Sequence, residues 1–172
     1  MHDAKYVYRF NNPKEGETLM KLLLSLVVTI GLSCLTLTAQ ATNANHSGTI
    51  CKNYNASQVT DIDYLASGTR NINASPRSII CPLVRAPTST NSAAVYVDGY
   101  HSGSQTTTCT LYSYNYNGTY LGSVSFTQTG SGAFDRYLSL PAPQAPTYAT
   151  LSVLCTIPGG GAGIIYDIDV IQ

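Results

Sequence analysis

Tryptophan is absent from this chain and charge is scarce: 172 residues hold no Trp, three Phe, nine Lys or Arg and nine Asp or Glu. Without Trp there is no buried strand-C tryptophan of the antibody-type domain. Histidine is nearly missing as well. Beyond residue 41 only His46 and His101 occur, too few for a histidine-based zinc centre. Neither lies in a G-x-S-x-G elbow. The same segment carries Lys52, Arg70, Arg77, Arg85 and Arg136 against Asp61, Asp63, Asp98, Asp135, Asp167 and Asp169, a net charge of −1. Five scattered cations build no basic patch, so nucleic acid is excluded as a partner. No stretch after residue 41 keeps a helical period, which removes the α and α/β classes.

What the chain has, first, is an export signal. Met20-Lys21 precedes an apolar run at residues 22–37, followed by Ala39-Gln40-Ala41, in the order of a basic region, an apolar region and a cleavage site. The run is 16 residues long, short of the roughly 20 that cross a bilayer. Residues 1–19 are polar and unpatterned, and Met20 is the expected start. Cleavage after Ala41 leaves no membrane segment and sends the remainder to the periplasm or outside the cell. Residues 42–48 read as a loose leader and residues 49–172 as one domain.

Cleavage also removes Cys34 and leaves Cys51, Cys81, Cys109 and Cys155, an even number in an oxidising compartment. Two disulfides are expected. Four cysteines allow three connectivities, and Cys51–Cys81 with Cys109–Cys155 is preferred because the second pair would join two strongly patterned strands.

The most informative stretch is residues 107–126, TTCTLYSYNYNGTYLGSVSF. Asn117-Gly118 between alternating segments predicts a β-hairpin with a two-residue type I′ turn. Counting outward sets Cys109 opposite Phe126, Leu111 opposite Val124 and Ser113 opposite Gly122 on one face. Thr110, Tyr112 and Tyr114 then face Ser125, Ser123 and Leu121 on the other. Period-two alternation recurs at residues 61–65, 77–84, 93–100, 133–140, 148–157 and 164–171, with Pro82 marking an edge or strand end. About seven to nine short strands with turn signals between them predict an all-β antiparallel sandwich, immunoglobulin-like or jelly-roll-like.

Candidate chemistry is thin. Gly159-Gly160-Gly161 has no following helix to hold an anion and reads as a turn. His101 reads as a solvated loop residue. Asp61 with Asp63, and Asp167 with Asp169, could each lend two oxygens to Ca²⁺, which wants six to eight, but such pairs more often keep an edge soluble, and no metal or cofactor is assigned. Tyr112, Tyr114, Tyr116 and Tyr120 crowd one hairpin and form the candidate ligand-binding set, since exposed aromatic rings stack on sugars or on a protein surface.

The segments RSIICPLVR (residues 77–85), CTLYSYN (109–115) and LSVLCTIP (151–158) together resemble a group of small exported bacterial proteins of unassigned function. That resemblance implies a bacterial source and a secreted four-cysteine β-sandwich, with no catalytic residue. The function expected is therefore a non-catalytic exported module, binding a polysaccharide or a surface protein. The alternative is a matrix or adhesin-type subunit that self-assembles at the cell surface. Mass spectrometry of the exported product should find Thr42 at its N-terminus; a product that keeps the apolar run would overturn the export reading.

Overall fold

The structure, a computed structural model, describes residues 43–85 and 92–171. The chain divides after Gln40, and every described residue belongs to the second unit, Ala41–Gln172. The proposed signal segment lies outside the described residues.

Two antiparallel sheets form a sandwich from β1 (Ala44–Ser47), β2 (Lys52–Asn53), β3 (Ile62–Leu65), β4 (Gly68–Asn71), β5 (Arg77–Leu83), β6 (Ala93–His101), β7 (Thr106–Tyr114), β8 (Tyr120–Thr129), β9 (Gly132–Leu140), β10 (Thr150–Ile157) and β11 (Gly163–Ile171). Sheet A runs β3-β4-β11-β6-β9, with β1 also on β11; sheet B runs β2-β5-β10-β7-β8. The strands number 11 among the described residues, above the expected range, because β1, β2 and β4 are too short for an alternation to register.

The connectivity decides between the two expected sandwiches. β7 pairs with β8, β6 with β9, β5 with β10 and β4 with β11, a nested set of antiparallel pairs rolled into two sheets. That is a jelly roll, and the immunoglobulin-like option falls. Both inner faces follow the two-residue period. Ile79, Cys81, Leu111, Val153, Cys155 and Ile157 from sheet B meet Val95, Val97, Leu138, Ile165, Ile168 and Val170 from sheet A, all nearly or fully buried.

The hairpin register holds where it matters and fails at its tip. Leu111 faces Val124, Cys109 faces Phe126 and Ser113 faces Gly122, as counted from the sequence, but Tyr114 faces Tyr120 across a bulge at Leu121. The turn is not type I′. No residue other than glycine has positive φ, and Gly118 alone turns left-handed at φ 82°. Gly118 N donates to Asn115 O at 3.0 Å and Asn115 N to Thr119 O at 2.9 Å, which makes a three-residue loop. Asn115 Oδ1 holds it by accepting from Asn117 N and Thr119 N, each at 3.0 Å. The longer loop shifts the pairing by one residue and the bulge shifts it back.

Both disulfides take the preferred pairing: Cys109–Cys155 joins two strands of sheet B, and Cys51–Cys81 ties the residue just before β2 to β5. Cys109 and Cys155 are direct partners on β7 and β10 with Cα atoms 4.0 Å apart, the close spacing of a non-hydrogen-bonded antiparallel pair. Pro82 stands opposite Ser152, beyond the point where two-residue β2 stops covering β5, so its missing N–H breaks no bond.

Three expectations need correction. Residues 44–47 are no loose leader: β1 pairs with Asp167 to Val170 of β11 and extends sheet A. On β11 strict alternation would set Ile164, Tyr166, Ile168 and Val170 on one face, but a bulge at Tyr166 resets it, so Ile165, Ile168 and Val170 point inward, and Ile164 and Tyr166 do not. Gly48 and Gly68 explain the bulge's surroundings, since a Cβ on either would collide with the carbonyl of Ile165. Finally, residues 71–76 read in the sequence as turn material, yet Asn71 ends β4 and is fully buried; its Nδ2 donates to Ser75 O at 2.8 Å and its Oδ1 accepts from Asn73 N at 3.0 Å. The glycine turn docks on the same loop through Gly160 N to Asn73 O at 2.6 Å and Gly161 N to Asn71 O at 2.8 Å.

Replacing Cys109 and Cys155 together by alanine should lower unfolding free energy by about 4 kcal/mol, the chain-entropy value for a loop of this length. Urea denaturation measures it, and an unchanged midpoint would show that the bridge adds nothing to the paired strands.

Candidate functional site

The outer face of sheet B is built in rows across its strands. Ser78, Thr156, Thr108 and Thr127 form one row, with hydroxyl contacts of 3.0 Å between Ser78 and Thr156 and 3.1 Å between Thr108 and Thr127. Ile80, Leu154, Thr110 and Ser125 form the next, the last two hydrogen-bonded at 2.8 Å. Then come Pro82, Ser152, Tyr112 and Ser123, and finally Thr150, Tyr114 and Tyr120. Among the described residues the one charged side chain on this face is Lys52, on the short outer strand β2.

The four tyrosines singled out in the sequence lie at one end of this face but divide into two groups. Tyr112 stacks on Tyr114 at 6.2 Å between ring centroids, and Tyr114 meets Tyr120 edge-on at 5.9 Å. The Tyr120 hydroxyl lies 2.8 Å from Ser123 Oγ, which fixes its ring on the sheet. Tyr116, at the hairpin tip and 83% exposed, pairs instead with Tyr148, 61% exposed, at 6.3 Å. Tyr148 escaped the sequence reading because it precedes the alternating run of β10 and resembled its first residue. Gln144, in the 3₁₀ turn Ala142–Gln144, packs its side chain over Gly122 and joins this proline-rich connector to β8. Arg85 Nη1 fastens the same connector by donating to Ala145 O at 3.0 Å and Pro146 O at 2.7 Å.

Sheet A turns a different chemistry outward. Asp98 on β6 faces Asp135 on β9 and Asp167 on β11, with Asp169 one step along. Burial and then repulsion from Asp135, Asp169 and Asp167 push the Asp98 carboxyl up to about 6. Burial and the Asp167 charge push Asp169 up as well. Beside Asp98 and Asp135 is an open cleft of about 350 Å³ bounded by Gly99, Ala133, Phe134 and Tyr166. Tyr96 and Tyr137 stand directly opposite one another here, 5.2 Å apart.

The other sequence candidates are accounted for. Asp61 and Asp63 do not share one face toward an ion. Asp61 accepts from Arg77 Nε at 2.6 Å and Asp63 from Arg70 Nη2 at 2.8 Å. The Arg77 guanidinium holds the Asp61 carboxyl below its usual range. Among the described residues no group of three or more His, Cys, Asp or Glu is placed to hold a metal ion. His101 is not a solvated loop residue: it ends β6, is 0% exposed and meets Phe134 edge-on at 5.8 Å. The strand continues one residue further than its alternation suggested, because Gly132 and Gly163 flank His101 and leave room for the ring. No helix among the described residues is long and apolar enough to cross a membrane.

No protein-family model matches this chain, and no curated protein matches it significantly. Among solved structures it is similar to the xylan-binding module CBM15, at 8% identity and a TM-score of 0.48 over 77% of this chain and 97% of that one. It is also similar to CBM35 from Paenibacillus barcinonensis, at 20% identity and a TM-score of 0.45 over 76% of this chain and 98% of that one. A family 35 carbohydrate binding module from Clostridium thermocellum gives 17% identity and a TM-score of 0.43 over 76% and 98%. Likeness at this level is too low to carry a ligand from those proteins to this chain.

The raised pKa of Asp98 has a sign. A native carboxyl that holds its proton more tightly than the unfolded one costs stability once it ionises, fully above about 6 and not at all well below 3.8, the value of an unperturbed aspartate. Asp98→Asn should therefore raise the thermal midpoint by a few degrees at about pH 8 and leave it unchanged near pH 3. Equal midpoints at both pH values would contradict the crowding of these carboxylates.

Proposed function

We propose that this protein is an exported, non-catalytic module that holds a neutral polysaccharide on the outer face of sheet B. The observation that carries the reading is the meeting of two features on one face: five tyrosines at one end, and rows of hydroxyls with a single cation at the edge. A neutral sugar offers apolar C–H faces and many hydroxyls. Tyrosine supplies both the apolar ring and a polar tip, at low rotamer cost. Serine and threonine give and accept hydrogen bonds without the desolvation penalty that an unpaired charge would bring. The acidic outer face of sheet A disfavours an anionic polymer there, in keeping with a neutral ligand on the opposite side.

Export rests on the residue 20–41 signal pattern and on two disulfides, a chemistry of oxidising compartments. A non-catalytic role is supported by the sealing of His101 in the core, where it cannot meet a substrate.

Affinity electrophoresis in a panel of neutral and uronic-acid polysaccharides tests this reading. Tyr114→Ala combined with Tyr116→Ala should weaken retardation by a neutral polymer roughly fivefold to tenfold, the scale of lost aromatic contacts. Asp135→Asn, on the other face, should leave it unchanged, and added salt should have little effect because no charge is engaged. Retardation that survives the double tyrosine change would remove this face as the binding surface.

A further inference from the structure

The sheet edges of this sandwich are not alike. On sheet A, β3 holds Asp63 and β9 holds Asp135 and Arg136, while β1 is only four residues long. On sheet B, β2 is two residues long and begins with Lys52. Charge, brevity and irregularity are the devices by which exposed strands avoid pairing with other chains. The remaining edge, β8, is ten residues of YLGSVSFTQT with no charge and no proline. Its one irregularity, at Leu121, and the Gln144 side chain over Gly122 cover the end near the turn, and Arg136 of β9 donates to Gln128 Oε1 at 2.6 Å at the other end, which leaves Ser123 to Thr127 between them. From Ser123 to Thr129 no described strand pairs on its outer side.

The orientation of its free groups follows from the ladder. Asn115 and Thr119 close the hairpin with a backbone bond, and the Cys109–Cys155 pair is of the close, non-hydrogen-bonded kind, so Cys109 turns its own N–H and C=O toward Phe126. Phe126 and Val124 therefore bond to β7, and Ser123, Ser125 and Thr127 point their backbone groups away from it.

We propose that β8 is a homodimer edge, pairing antiparallel with β8 of a second copy about a two-fold axis at Ser125. In that register Ser123 stands opposite Thr127 of the second copy, each such pair exchanging both backbone bonds. A second copy suits this edge because the strand complements itself. It brings no charge against its own image, and its outward Ser and Thr side chains both give and accept, as Thr110 with Ser125 and Thr108 with Thr127 already do across β7. Val124 and Phe126, half-buried in the single chain, come opposite Phe126 and Val124 of the partner and lose their remaining exposure. The result is a continuous sheet whose outer face carries two tyrosine clusters.

Sedimentation equilibrium of the exported protein, without polysaccharide, tests the edge separately from the binding reading. The wild type should sediment as a concentration-dependent dimer between micromolar and millimolar. Ser125→Lys sets like charges opposite at the axis and should weaken the dimer about fivefold. A mixture of Ser125→Lys with Ser125→Glu should recover it, which a folding defect could not produce since both variants lose the same bond to Thr110. A wild type that stays monomeric throughout, a Ser125→Lys variant that dimerises like the wild type, or a mixture that fails to recover would each overturn the proposal.

Discussion

The contact on which the rest of this structure depends is the pairing of β7 with β10. The nested pairs β7–β8, β6–β9, β5–β10 and β4–β11 could all exist in one long, unrolled hairpin. Two further pairings, β7 with β10 and β6 with β11, close that hairpin on itself and set its apolar faces against each other. The first of these carries the Cys109–Cys155 bridge in direct register. The bridge thus sits at a pairing that joins strands distant in sequence, where loop-closure entropy opposes folding more than it does at the local hairpin. It also fixes which backbone groups of β7 face β8, and so which groups of β8 remain outward.

That register passes to the surface. A strand with one face in the core has its other face determined, because the side-chain period is two. Burying Leu111, Cys109 and Ser113 obliges Thr110, Tyr112 and Tyr114 to face outward, and β10 does the same for Ser152, Leu154 and Thr156. The same rule applied to β6, β9 and β11 turns Asp98, Asp135, Asp167 and Asp169 outward on the opposite sheet. The separation of a hydroxyl-rich face with little charge from one that sets carboxylates among Tyr96, Tyr100 and Tyr137 is therefore a consequence of the alternation that builds the core. Among the described residues the first face carries charge only at Lys52 on the short β2 edge, so a neutral surface can cover its centre without desolvating a charge, while the second face gathers four carboxylates.

Much of this was legible in the sequence, and the reasons are local. Long alternating strands such as β6, β7, β9 and β10 show their inward residues directly, and the hairpin count placed Leu111 against Val124 although the turn type was wrong, because turn and bulge compensate. The disulfide pairing was preferred on related grounds: parity came from the four cysteines left after Cys34, and Cys109 with Cys155 was favoured because both sit on strongly patterned strands. What failed was short or irregular. β1 has four residues and Ala44 as its one apolar side chain, so its backbone pairing with β11 leaves no period to read. The β11 bulge at Tyr166 was invisible because Ile164 and Tyr166 continue an apolar alternation that the backbone interrupts. His101 and Asn71 were misplaced because a polar residue is buried only where its surroundings allow it. For His101 those surroundings are Gly132, Gly163 and the Phe134 ring; for Asn71 they are carbonyl and N–H groups of the following loop.

The candidate site shows where single-strand reasoning stops. Tyr112, Tyr114 and Tyr120 come together through one hairpin, so sequence separation and register were enough to group them. Tyr116 and Tyr148 come together through the turn and the proline connector, whose path is set by Arg85 gripping Ala145 and Pro146 and by Gln144 resting on Gly122. A position fixed by an arginine more than 50 residues away leaves no periodic trace near the tyrosine itself. The two tyrosine groups therefore differ in physical character. The first is part of the sheet and as rigid as the ladder beneath it, while the second is placed by loops, where rings have room to adjust. On the proposed reading, a polysaccharide crossing this end of the sheet would meet the sheet-borne rings of Tyr112, Tyr114 and Tyr120 first and the loop-borne pair Tyr116 and Tyr148 beside them.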